Sequence, residues 1–176
     1  MSFRTGIGYD IHRLKPGRPL WLGGVRIPCE KGLDGHSDAD ALLHAITDAL
    51  LGAAALPDIG HYFPPSDPAI KNIASAEMLA KAASEVRRLG FRIMNVDSVV
   101  VAEAPKIAPH REAMRKTIAR LLGIAVPDVQ VKGKTNEGLD AIGRGEAIAA
   151  HAVVLITSSP AVPGGGPMDP RLQPRG

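Results

Sequence analysis

Apolar and polar residues alternate along FRTGIGYDIH (3–12) and predict a strand whose packing is loosened by Gly6 and Gly8. Two short apolar runs on either side of Gly23-Gly24, in LWLGGVRIP (20–28), predict a hairpin. A turn-rich piece, CEKGLDGHSD, follows, and then the period changes. Leu42, Ile46, Ala49, Leu50 and Ala53 recur at three- and four-residue spacing, which predicts a long helix with a buried stripe. Ser37 or Asp38 is the expected N-cap, and the helix is expected to end by Pro57.

The segment PDIGHYFPPSDPAIKN (57–72) is rich in proline and reads as a rigid loop. A second helix is expected over 75–89, with Ser75 as its cap and Gly90 as its stop. Its apolar face is Met78, Leu79, Ala82, Val86 and Leu89. Residues 91–102 end in the β-branched run VDSVVVA and predict a strand. A third helix opens at Pro109 and runs to Leu122, where Gly123 ends it. Strands are expected again at 128–134 and 146–157. This order predicts an α+β fold: a mixed sheet with helices packed on one face, as a ferredoxin-like sandwich. The expected organisation is one catalytic domain over 1–158 and a disordered Pro/Gly-rich tail over 159–176.

Aromatic residues are 3% of the chain, so the expected core is built from Ala, Val, Leu and Ile. A formal charge of +3 argues neither for nor against nucleic acid, but the Lys/Arg cluster interleaved with aromatics that usually marks such a binder is missing, and no nucleic-acid partner is expected. Cys29 is the one cysteine, which excludes an intrachain disulfide and suits a reducing compartment. No apolar run reaches the ~18 residues of a membrane span, and the N-terminus has neither an apolar signal core nor a transit-peptide composition. A cytoplasmic location away from membranes is expected.

Three of the six histidines fall in two short pieces, IGYDIH and HSDADALLH. Asp10 and His12 are two apart on a strand and therefore share a face. Asp40, His44 and Asp48 are spaced by four on the helix and form a polar stripe beside the apolar one. That stripe reads either as a solvated face or as a site; His44, in an alanine-rich stretch with few polar neighbours, reads as a ligand, a satisfied core histidine or a surface residue. Asp10, His12 and His44 would supply three protein ligands and leave a fourth position open, as catalytic zinc sites do. His36 and Ser37 precede the helix, whose N-terminal N–H groups suit phosphate, although a plain loop histidine is the competing reading. The stretch KGKTNEGLDAIGRGEA (132–147) gathers Lys132, Lys134, Thr135, Glu137 and Arg144 between glycines. It reads as a polyanion loop with a carboxylate for magnesium, or as a solvated charged hairpin. A P-loop pattern is absent. The prolines of AEAPKIAPHREAM (102–114) stiffen a backbone that is suited to reading a base.

GYDIHRL, LGGVRIPCEKGLDGHSDADALLHAITDALLGAAALPDIGHYFP, NVDSVVVAEAPKIAPH and KTNEGLDAIGRGEAIA occur in order from about residue 7 to 156. Together they closely resemble the 2-C-methyl-D-erythritol 2,4-cyclodiphosphate synthases. The resemblance implies an enzyme of the non-mevalonate isoprenoid pathway acting on 4-diphosphocytidyl-2-C-methyl-D-erythritol 2-phosphate. In that reaction the 2-phosphate attacks the β-phosphorus, CMP leaves and a cyclic diphosphate forms. It also implies a homotrimer with active sites between subunits. The implied ligands of Zn²⁺, or of another divalent transition metal, are Asp10, His12 and His44. Glu137 would place Mg²⁺ or Mn²⁺.

By the same resemblance His36 and Thr135 stabilise the phosphates in the transition state, and Asp40 orients a ligand or the phosphate-binding turn from behind. The implied substrate contacts include Asp10, Ile11, His12, His36 and Ser37, then Asp58, Ile59 and Gly60, then Phe63, Pro64, Pro65, Ser66 and Asp67. Ala102, Glu103, Ala104, Pro105, Lys106, Ile107 and Ala108 would hold the cytosine largely through backbone groups. Lys134, Thr135, Asn136, Glu137, Ala141 and Arg144 complete the set. Arg144 also marks a central trimer cavity that holds an isoprenoid diphosphate in some relatives. Pro65 stands where many relatives carry an aspartate, and Ala141 and Ile142 replace a common Phe-Thr pair. Two other readings use the same residues: a metal-dependent phosphohydrolase with a metal-bound water as nucleophile, and a trimeric binding protein with a structural zinc.

Overall fold

A computed structural model describes residues 2–64, 66 and 73–158. Pro65, Asp67 and the expected tail 159–176 lie outside the described residues. The chain opens with β1 (Phe3–Pro16) and a small hairpin of β2 (Leu20–Leu22) and β3 (Val25–Ile27). It continues through β4 (Lys31–Leu33), α1 (Ala41–Ala53), the single turn α2 (Ile59–Tyr62) and α3 (Ser75–Arg88). Then come β5 (Phe91–Val101), α4 (Arg111–Leu122), β6 (Val129–Lys134), the single turn α5 (Asp140–Gly143) and β7 (Ala147–Ser158).

The main sheet has the order β4-β1-β7-β5-β6. β7 lies antiparallel to both β1 and β5, whereas β5 and β6 are parallel neighbours joined through α4. The fold is therefore α+β with a mixed sheet, as expected, but it is not a ferredoxin-like sandwich. That motif runs β-α-β-β-α-β. Here β1 and β5 are separated by helices, β5 and β6 by α4, and the two last long strands, β6 and β7, follow with only a short turn of helix between them. A parallel pair at one side of an otherwise antiparallel sheet is the result.

The helices cover one face. Leu42, Ile46 and Leu50 of α1, Leu79 and Val86 of α3, and Met114 and Ile118 of α4 join Val96, Val100, Val131, Ile148, Val154 and Ile156 in one core. Even-numbered residues of β1 turn toward the helices and odd-numbered ones away. That other face carries Phe3, Ile7, Tyr9, Ile11 and Val153, all exposed.

Gly6 and Gly8 do not loosen β1; they let α1 lie against it. A Cβ on Gly6 would overlap the Ala49 carbonyl oxygen, and one on Gly8 the Ala45 carbonyl oxygen. Gly23 and Gly24 sit at φ +60° and +71°, the conformation a two-residue hairpin of this hand requires.

The cap of α1 is Asp40, not Ser37 or Asp38. Ala39, at φ +57°, turns the chain so that the next residue meets the helix end. The fully buried Asp40 carboxylate accepts from Leu43 N (3.0 Å) and from Gly23 N (2.9 Å) and Gly24 N (2.7 Å) of the hairpin turn. Burial pushes this carboxyl above its usual range, against the pull of the three N–H groups. Of the two expected roles, orienting a ligand or the phosphate-binding turn, the side chain makes no bond to a metal ligand: its three bonds go to backbone and lock the start of α1 to the hairpin. Asp40→Ala would leave buried donors without an acceptor. A loss of about 3–5 kcal/mol in urea unfolding is expected, with Asp40→Asn losing less because its one amide oxygen can still accept from Gly23 N and Leu43 N, though not from Gly24 N.

Ser75 is the first residue of α3 rather than its cap, which is Ala74. The third helix starts at Arg111, after a 3-10 turn at Ala108–His110, and ends at Gly123 in the left-handed region. β4, α2 and α5 were not expected; at three or four residues each they are too short to show a period. Among the described residues no helix is long and apolar enough to cross a membrane.

Candidate metal centre

Asp10 and His12 project from β1 toward the helices, and His44 comes down to them from the first turn of α1. Asp10 Oδ2 lies 2.9 Å from His12 Nε2 and 2.9 Å from His44 Nδ1, and those two nitrogens are 3.2 Å apart. Tetrahedral zinc bonds of about 2.0 Å place ligand atoms about 3.3 Å from one another. The triangle therefore needs to open by only a few tenths of an ångström to hold a metal ion, and the residues fit one. His12 Nδ1 donates to the Asp34 carbonyl at 2.8 Å, which leaves Nε2 free on the side of the site. Asp34 reaches this position because β4 pairs with the far end of β1.

Burial alone would favour the neutral carboxyl of Asp10. The hydrogen bonds and positive charge of His12 and His44 outweigh it and hold the group well below the usual carboxylate range. For His12 burial works downward, but the paired Asp10 raises its pKa above 6.5. Asp48, one helical turn beyond His44, accepts from Ile59 N at 2.7 Å and fastens α2 to α1. Burial is the first cause that raises its pKa. Asp58 caps α2 and accepts from His61 N at 3.0 Å. Ile59 and Gly60 follow it in the same turn. Phe63 is buried beneath Lys81, while Pro64 is half-buried and Ser66 exposed. Ser37 is buried and His36 exposed, both on the loop just before α1.

A second group of expected residues lies elsewhere on the sheet. Ala102, Pro105, Lys106, Ile107 and Ala108 line a cleft of about 450 Å³ with Arg111 and residues 131–135, including Lys134 and Thr135. Glu103 is turned into the neighbouring loop, where its carboxylate accepts from Asn136 N (2.9 Å) and Gly138 N (3.3 Å). Thr135 Oγ1 donates to Glu137 at 2.9 Å. Ala104 is exposed, Ala141 is half-buried in α5, and Arg144 pairs with Glu146 at 2.8 Å. Ile11, next to Asp10, faces the opposite side of the sheet.

Within one chain the two groups do not meet. Asp10, Ala150, Val100 and Gly133 form one cross-strand row. The metal ligands and the cleft are thus three strand spacings apart, about 14 Å. Sequence reasoning passed over Arg111, which faces the cleft from the start of α4. It also misread Asp38 and Ser75 as helix caps; Ser75 lies against His44, and Asp38 lies against Ser75.

Residues 3–157 match the YgbB family. The chain belongs to that family. A relative from Burkholderia thailandensis, a 2-C-methyl-D-erythritol 2,4-cyclodiphosphate synthase, is 58% identical over 156 residues, covering 89% of this chain and 96% of its own. Among solved structures, the bifunctional IspDF from Campylobacter jejuni is similar with a TM-score of 0.86 and 41% identity. That match covers 89% of this chain and 42% of the bifunctional one. The CDP complex of IspF from Plasmodium falciparum is similar with a TM-score of 0.80 and 37% identity, over 90% of this chain and 98% of its own.

Proton competition at this YgbB-family centre has a definite sign. A metal takes a bare imidazole nitrogen, so it must displace any proton that Asp10 holds on His12. Protonated His12 stabilises the metal-free fold below pH 6.5, and that contribution is lost as pH rises through the raised pKa. Zinc affinity, measured by chelator competition, should therefore rise with pH and reach its half-point above 6.5. A half-point at or below that value would show that the Asp10–His12 pair is absent without metal.

Proposed function

We propose that this chain converts 4-diphosphocytidyl-2-C-methyl-D-erythritol 2-phosphate to 2-C-methyl-D-erythritol 2,4-cyclodiphosphate and CMP. The observation that carries the reading is the convergence of Asp10 Oδ2, His12 Nε2 and His44 Nδ1 on one point, in a chain 58% identical to a synthase of that name. Three ligands with an open fourth position suit a catalytic rather than a structural metal.

In the reaction an oxygen of the 2-phosphate forms a bond to the β-phosphorus. The bond from that phosphorus to the bridging oxygen breaks, and CMP leaves with the oxygen. Asp10, His12 and His44 would hold Zn²⁺ or a similar divalent ion, and Glu137 would hold Mg²⁺ or Mn²⁺. When bound, these ions polarise phosphate oxygens and neutralise their charge. His36, at the loop before α1, and Thr135 position the phosphates, and Ser37, Asp58, Ile59 and Gly60 border the sugar. The cleft of Ala102–Ala108 and Lys134 takes the cytidine through backbone groups, with Lys106 and Arg111 as its cations. Glu103 braces the loop that carries Thr135 and Glu137.

Two observations support a homotrimer with shared sites. The cleft and the metal ligands stand about 14 Å apart in one chain, and the sheet exposes Phe3, Ile7, Tyr9, Ile11 and Val153 as one apolar face. A patch of this kind marks a protein interface. Packed through it, one protomer's cleft can meet its neighbour's metal centre. Arg144 belongs to the same reading as the residue that would meet an isoprenoid diphosphate in the trimer's central cavity. Residues 1–158 act as one catalytic domain in the cytoplasm.

Phosphorus NMR of the purified protein with this substrate and Mg²⁺ tests the reaction. CMP and a cyclic diphosphate should appear one to one. CMP with an open-chain bisphosphate would mean that water is the nucleophile, and the hydrolase reading would replace this one.

A further inference from the structure

The ring of His44 is held at both nitrogens. Nδ1 faces Asp10 Oδ2, and Nε2 lies 2.8 Å from Ser75 Oγ. A hydroxyl can give its proton to a ring nitrogen or accept one from it, and that choice decides which nitrogen stays bare. Asp38 makes the choice here. Its carboxylate oxygen is in hydrogen-bond contact with Ser75 Oγ, and a carboxylate only accepts. The hydroxyl proton therefore goes to Asp38, and a lone pair of Ser75 turns to His44. A proton of His44 then stays on Nε2, which leaves Nδ1 as the nitrogen that a metal can take beside Asp10 Oδ2 and His12 Nε2. Asp38 is itself held by the backbone N–H of Asp40 (3.3 Å) and of Ser75 (3.2 Å). A second hydroxyl, Ser37 Oγ, stands 3.3 Å from Nε2 and accepts from Ala39 N at 2.9 Å; its remaining lone pair can share the Nε2 proton with Ser75.

We propose that Ser75 and Asp38 are positioning residues for the metal: through the Asp38–Ser75–His44 chain they set the tautomer and ring angle that aim His44 Nδ1 into the centre. Ser75 is fully buried and 31 residues from His44 in sequence, so this hydroxyl has no solvent role to play. A carboxylate behind a ligating histidine is the usual arrangement at protein metal sites, and here a serine relays it. The inference rests on the metal reading of Asp10, His12 and His44.

A purely structural alternative has Asp38 as an outside cap for the first N–H of α3. Ser75→Ala separates the two, because it keeps that N–H and removes only the hydroxyl. Zinc affinity by chelator competition should fall about 10-fold or more in Ser75→Ala. The visible absorption of the Co²⁺-loaded protein should also change in position or intensity. Ser75→Thr, which keeps the hydroxyl, should bind zinc like the parent. Parent-like affinity together with an unchanged cobalt spectrum in Ser75→Ala overturns the proposal. Should that variant not fold, Asp38→Asn decides on the same two readouts, with weakened binding expected and unchanged binding overturning it. Failure of the unsubstituted protein to bind either ion overturns the metal reading and this inference together; normal binding there with no effect of the variants overturns this inference alone.

Discussion

His44→Ala should abolish cyclic diphosphate formation, with turnover down by at least about 10³-fold, equivalent to about 4 kcal/mol of transition-state stabilisation. The side chain contributes one corner of a triangle whose other corners, Asp10 Oδ2 and His12 Nε2, lie 2.9 and 3.2 Å away. Two ligands on one strand cannot enclose an ion without the third from the helix. Zinc content by atomic absorption should fall with activity, and added zinc should not restore it. The fold should survive, since the position lies at the edge of the core and Leu42, Ile46 and Leu50 still anchor α1. Phosphorus NMR decides the matter: continued one-to-one release of CMP and cyclic product from a folded, zinc-free variant would remove the triad from the reaction.

The second large effect is on the scaffold. Gly8→Ala should destabilise the protein by about 3 kcal/mol or more, because the added Cβ meets backbone of α1 at Ala45 and Ala49 rather than a side chain that can swing away. Relief requires α1 to move off β1. Those two elements carry His44 and the Asp10–His12 pair, so zinc affinity should fall with stability. Gly52→Ala is the contrasting case. A Cβ there meets nothing within 4 Å, and an exposed helical glycine changed to alanine should stabilise by about 0.5–1 kcal/mol. Urea unfolding of both variants checks the pair. Equal small effects would mean that the close approach of α1 to β1 is not a constraint.

Much of the site could be read before the fold was known. Alternation along β1 puts Asp10 and His12 on one face, and the three- and four-residue spacing of α1 sets His44 beside the stripe of Leu42, Ile46 and Leu50. Long periodic elements state their own type and buried side, because burial repeats with the geometry of the chain. The capping of α1 was legible only as a choice among neighbouring polar residues. Ser37, Asp38 and Asp40 are all good cap residues by type, and what selects Asp40 is a pair of N–H groups from a hairpin 16 and 17 residues earlier.

The connectivity of the sheet was not legible at all. Pattern shows that β5, β6 and β7 are strands, but not that β7 inserts between β1 and β5 and leaves β6 parallel at the side. Strand partners are settled by which apolar faces fit together, and local sequence carries no record of that choice. The same limit hid Ser75 behind His44 and the distance between the cleft and the metal ligands. Local pattern was enough for the long elements, their buried faces and the ligand types of the centre. Which of those residues converge followed from packing, because a hydrogen bond across 31 residues or a site shared by strand and helix is encoded in no local pattern.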